Sequence, residues 1–116
     1  MIFKNDYHQR KYLEILGKMS TTDEYHCALA YLIALDENIC NDIERVNACF
    51  DFKKDSIRRD VIDQAWVTGF DRRVLQLGFN LWNNSNKADV SDVFDYSPGN
   101  LEYMIEAVKI RFGLVY

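Results

Sequence analysis

Apolar positions recur along this chain mostly with the spacing of helices. Tyr12, Leu13, Ile15, Leu16 and Met19 lie at three- and four-residue intervals, Asn5 precedes them as a capping residue, and Asp6 falls where a negative charge suits the helix dipole. The pattern predicts a helix over about Asp6 to Met19, with His8 on its polar, solvated side. Thr21 and Glu24 then form a capping box, and Tyr25, Ala28, Leu29, Leu32 and Leu35 line one face of a second helix, over about 22–36. That helix is apolar around nearly its whole circumference, so it is expected to be the central helix of the core.

The pattern weakens between Asp36 and Trp66. Ile39, Ile43 and Val46 suggest a short helix, Phe50 and Phe52 alternate as in a strand or extended link, and Ile57, Val61 and Ile62 suggest a helix over about Ser56 to Gln64. Regularity returns at Thr68, whose partner Asp71 completes a short capping box before a helix over Gly69 to Trp82. The polar run Asn83, Asn84, Ser85, Asn86 stops it. A brief turn near Ser91 to Phe94 follows, then a last helix capped by Ser97, with Pro98 at its first position and Gly113 at its end. The fold class is therefore all-α: one domain over residues 1–116, of about five to six helices around the central one.

Composition fits that picture. With 116 residues there is room for one core, 48% hydrophobic residues can fill it, and one proline with five glycines is too little punctuation for an all-β fold. The start lacks the apolar segment of a signal peptide, and the longest apolar run, Cys27 to Leu35, is too short to cross a bilayer, so a cytoplasmic location is expected, without membrane association. Cys27, Cys40 and Cys49 are odd in number, with spacings that fit neither a disulfide framework nor zinc pairs, and read as buried reduced thiols.

The net charge of −4 is unevenly spread. Residues 21–51 carry seven acids against Arg45, a local −6, and residues 52–73 carry six bases against four acids, a local +2. This makes direct nucleic-acid binding unfavourable and points to an acidic face, with Asp23, Glu24, Asp36, Glu37, Asp42 and Glu44, that could dock a basic partner. Those acids lack the glycine and alternate spacing of a calcium loop. His8 and His26 are far apart in sequence, and the adjacent His26 and Cys27 point in different directions on a helix, so neither a metal, a cofactor nor a catalytic residue is assigned. An enzyme would need a carboxylate or histidine of perturbed pKa in a cleft, and Glu14, Asp63 and Glu106 are acids to consider for it. The start of the helix at Gly69 is a candidate anion or nucleotide site, with Thr68, Gly69, Arg72, Arg73, Asn80 and Trp66 around exposed backbone N–H groups. The alternative is structural: Thr68 caps, Gly69 allows close packing, and an arginine pairs with Asp71 or Asp63.

Trp66-Val67-Thr68-Gly69, Arg73-Val74 and Leu77-Gly78-Phe79-Asn80-Leu81-Trp82 resemble the hallmark of a small uncharacterised family of Firmicutes and their phages. In that family a Trp-Gln-Thr-Ser-Gly segment precedes Arg-Val and a Leu-Ala-Phe-Asn-Leu-Tyr helix. Phe3-Lys4-Asn5 and Glu106 to Phe112 are also similar, whereas this chain is shorter at the Ser-Gly pair and has Phe70 there. The resemblance implies a helical fold and a phage or mobile-element setting, and carries no activity. The expected function is a non-enzymatic, phage-type protein that binds and blocks a host protein, such as a defence or CRISPR nuclease, through its acidic face. The alternatives are a small-ligand binder using the helix start at Gly69, or a purely structural domain. The apolar tail Leu114-Val115-Tyr116 either folds back onto the core or contributes to a homodimer.

Overall fold

Helix α2 (Glu24–Leu35) organises the molecule, because every side chain from Ala28 to Asp36 is buried. A helix without a solvent face has to be enclosed by others. In the computed structural model, which describes residues 1–84, 86–95 and 99–115, three helices do this: α1 (Asp6–Gly17), α5 (Gly69–Trp82) and α7 (Leu101–Arg111) all pack on α2. The connections are short: α3 (Glu37–Cys40), α4 (Ile43–Cys49), a 3-10 turn (Arg59–Asp63) and α6 (Val90–Val93). A two-residue antiparallel ladder pairs β1 (Phe50–Asp51) with β2 (Ser56–Ile57). The all-α expectation holds, with seven α-helices among the described residues because 37–49 divides into two short ones.

Several boundaries differ from the predicted ones. α1 stops at Gly17, where the Lys18 and Met19 N–H groups bond Ile15 and Leu16 carbonyls in a tightened last turn. α2 is capped by Asp23 instead of Thr21: Asp23 Oδ1 accepts from the His26 N–H at 3.0 Å and also meets the His26 ring, a contact no threonine hydroxyl makes as an anion. The helix predicted over Ser56 to Gln64 is β2 followed by the 3-10 turn. Its first residues pair with β1 because Asp51 closes the intervening turn, accepting the Lys53 and Lys54 N–H groups at 3.0 Å each and Arg58 Nη2 at 3.1 Å. The proposed cap at Ser97 and Pro98 lies outside the described residues, as does Ser85.

Four helix ends match the prediction, among them Asn5, whose Oδ1 caps α1 by accepting from His8 N at 2.8 Å, and Trp82, where α5 ends. Thr68 and Asp71 exchange both hydrogen bonds of a capping box at the start of α5. α7 closes with Gly113 in the left-handed region, φ 72°, while Gly113 N bonds Ile110 O and Leu114 N bonds Lys109 O, the paired bonds of a Schellman end. Beyond it Val115 packs against the core and Leu114 stays exposed.

Gly78 marks the closest approach of α5 to α2. A Cβ there would lie 3.0 Å from Leu29 Cδ1 and 3.6 Å from Leu32 Cδ1. A Gly78→Val substitution adds two further carbons to a contact already at its limit and is expected to destabilise the fold by about 2–3 kcal/mol in denaturant unfolding. A loss below about 0.5 kcal/mol would mean the two helices are not in tight contact at this point.

Candidate functional site

The start of α5 carries the residues expected to hold an anion, and the protein's own carboxylate already occupies it. Asp71 Oδ2 accepts from Thr68 N at 2.8 Å and from Asn38 Nδ2 at 2.6 Å, and Thr68 Oγ1 accepts from Asp71 N at 3.2 Å. Gly69 and Arg72 are exposed, and Arg73 lies beside Gly69. The other two residues serve different places. Trp66 Nε1 donates to Gln64 Oε1 at 2.7 Å, and Asn80 Nδ2 holds the Asn86 carbonyl at 2.8 Å, about 16 Å along α5 from Gly69.

What Asp71 meets inside the protein is Asp36, the most perturbed group of the site. Asp36 is 2% exposed and Asp71 0%, so Asp36 is no part of an acidic face, which corrects that expectation. It caps α3, accepting from Ile39 N through Oδ1 at 3.3 Å. Asp36 Oδ2 and Asp71 Oδ1 are both buried and have no hydrogen-bond partner as long as both carboxyls are ionised. A proton on Asp36, donated to Asp71, satisfies both. Burial, reinforced by the hydrogen bond and charge of Asp71, pushes the Asp36 carboxyl up to about 8. Burial acts on Asp71 in the same sense, but hydrogen bonds from Asp36, Thr68 and Asn38 outweigh it and hold Asp71 below the usual carboxylate range. Beside the pair is an open cleft of about 230 Å³, edged by Lys4, Asn38, Thr68, Phe70 and Asn100. Chemically, the pair stores one proton between two helix starts.

The histidines are not solvated. His8, expected on the polar side of α1, is 2% exposed. Its Nε2 donates to Tyr31 O at 3.0 Å and its Nδ1 accepts from Lys4 N at 3.1 Å, an arrangement only the neutral ring can make. Burial lowers its pKa accordingly. Around it Phe3 and Tyr31 pack edge-on, the Tyr31 hydroxyl donates to Ile2 O at 2.7 Å, and Ile2 N donates to Glu106 Oε2 at 2.8 Å. His26 is also buried, between Asp23 and Asp55 at 2.7 Å each. These carboxylates meet opposite ring nitrogens and leave no common point for a metal. Among the described residues no group of three or more His, Cys, Asp or Glu side chains could hold one. All three thiols are free; burial pushes Cys40 up to about 11 and Cys49 up to about 12.

The remaining acids fall into two groups. Asp23 and Glu24 lie at the start of α2; Glu37, Asp42 and Glu44 lie at its other end, about 18 Å away, on α3 and α4. Arg45, among the latter, donates from Nη1 to Asn38 O and Oδ1 at 3.0 and 2.8 Å and sits 4.9 Å over the Trp66 ring. Asp55 and the meeting of Asp36 with Asp71 have no signal in the sequence, because each depends on residues brought together from about 30 positions apart or more.

The pair makes a directional pH prediction. Because the folded-state pKa of Asp36 is raised, its contribution to stability is present below about pH 4 and is lost as the pH climbs through about 8. An Asp36→Asn amide can still cap α3 and donate to Asp71 without gaining a charge. This variant is expected to be more stable than the wild type by at least about 1 kcal/mol at about pH 9, with the difference shrinking toward acid pH. Equal pH dependence of unfolding in both proteins would show that the pair shares no proton.

The chain matches no curated protein and no solved structure. Over its whole length, residues 1–116, it matches a family of unknown function, DUF6075, and it belongs to that family.

Proposed function

We propose that this chain is a non-enzymatic interaction protein of phage or prophage type that docks a basic surface of a host protein against the exposed acids of α3 and α4. Uncompensated charge at that end of the molecule supports the reading. Glu37, Asp42 and Glu44 are exposed, and Arg45, the single base of residues 21–51, is already engaged by Asn38, by Trp66 and, at 3.7 Å, by Asp42. Within residues 37–49 three acids stand against one base, a local −2, and Lys4 edges the same cleft as Glu37. Ile43, 52% exposed, and half-buried Trp66 adjoin it, giving the mixture of charge and apolar or aromatic surface on which interfaces anchor.

The phage setting rests on the family resemblance of the Trp66–Trp82 segment. A nuclease of host defence, whose nucleic-acid groove is basic, is the class of partner that an acidic surface suits. The candidate acids for an enzyme have other roles: Glu14 faces solvent 3.5 Å from Lys11, Asp63 is exposed, and Glu106 anchors Ile2. A ligand at the start of α5 would have to displace the Asp71 carboxylate, so that reading has less support.

The test is capture from bacterial host lysate with the wild type and with a Glu37→Lys, Asp42→Lys, Glu44→Lys variant whose fold is verified by circular dichroism. The wild type is expected to retain one partner at moderate salt and release it as salt rises, and the variant to retain at least about ten-fold less. Absence of a partner at every salt concentration, or equal retention by the variant, would count against this reading.

A further inference from the structure

His26 is held between two carboxylates from different parts of the fold. Its Nδ1 lies 2.7 Å from Asp23 Oδ1 and its Nε2 lies 2.7 Å from Asp55 Oδ1. An ionised carboxylate offers only acceptors, so both ring nitrogens must carry hydrogen, which defines the imidazolium. Asp23 is fixed at the start of α2 by its cap bond to His26 N. Asp55 closes the turn between β1 and β2 with φ 54°, in the left-handed region that a side chain disfavours. Trp82 of α5 and Phe50 of β1 meet the ring edge-on, their centroids 4.7 and 6.4 Å away. The charged groups facing His26 are thus Asp23 from its own helix and Asp55 from the turn, while β1 and α5 face it with Phe50 and Trp82.

We propose that Asp23, His26 and Asp55 form a protonation-dependent latch that holds the β1–β2 hairpin, residues 50–57, onto the start of α2. Neutral imidazole has a single N–H, so deprotonation turns one of the two contacts into acceptor against acceptor. Asp23 stays in place because the helix cap holds it. The contact to Asp55 gives way, and the turn is released with it. Phe50 remains buried in the core, so the moving part is the turn that carries Lys53 and Lys54. Burial alone would lower the His26 pKa, but the hydrogen bonds and charges of Asp23 and Asp55 outweigh it and raise it above the ordinary 6.5. The latch is therefore closed below that pH and opens as the pH climbs through the raised value.

Backbone hydrogen exchange of the full chain, corrected for the intrinsic pH dependence of exchange, tests this. Amides of residues 51–58 are compared with those of residues 75–78 in the middle of α5, between the Asp36–Asp71 pair at one end and Trp82, which touches His26, at the other. Protection of the hairpin is expected to fall at least about ten-fold relative to α5 across the transition, and nitrogen NMR should find both His26 ring nitrogens protonated below it and one above. In a His26→Gln variant hairpin protection should be low and independent of pH. Asp55→Asn, in an exposed turn and with a residue that tolerates the left-handed backbone, keeps the test open if His26→Gln does not fold; it should move the transition down by at least about one pH unit. Hairpin protection that tracks α5 at every pH, a singly protonated His26 ring at about pH 6, or an unmoved transition in Asp55→Asn would overturn the latch.

Discussion

Enclosure of α2 on all sides from Ala28 to its end is the constraint from which the rest of the structure follows. Nothing on this helix from Ala28 onward reaches water, so every polar atom it carries must find a partner within the protein. The Tyr31 hydroxyl reaches the Ile2 carbonyl, and the Tyr31 carbonyl takes the ring hydrogen of His8. The first residues of the chain are thereby tied into the core, and Glu106 of α7 completes the tie by accepting from Ile2 N. Gly78 is the geometric counterpart, a place where α5 must lose its side chain for α2 to be covered.

The two ends of α2 solve the same problem with different chemistry. At its start an aspartate caps the helix and also binds a buried histidine, so a cation lies between two carboxylates. At its end another aspartate caps the next helix and meets Asp71, with one proton in place of the cation. Both arrangements favour the protonated form, so the folded chain takes up protons at both ends of its central helix. The surface acids of α3 and α4 stand outside this system.

Features set by neighbours in the chain were legible in the sequence. Thr68 and Asp71 were readable as a capping box because both partners lie within one turn, and Gly113 as a helix end for the same reason. The apolar circumference of α2 announced its burial. His8 was misread although the signal was present: His8, Tyr12, Ile15 and Met19 continue a single stripe at helical spacing, and all four are buried. Asp23 lost to Thr21 in the reading because the deciding contact is a histidine ring whose other face depends on Asp55, 29 residues further on. Asp36 looked like part of a solvated acidic run because its neutralising partner lies on α5. β1 was in reach because Phe50 and Phe52 alternate, whereas β2 was read as the start of a helix because its two residues are too few for any periodicity.

α2, covered by α1, α5 and α7, is expected to be the last element to open. Native-state hydrogen exchange of residues 29–35 measures this directly. These amides are expected to exchange only through global unfolding, with the free energy found from denaturant, while the hairpin, α3 and α6 open at lower cost. Exchange of residues 29–35 through a local opening, at a lower free energy than α5 or α7, would contradict it.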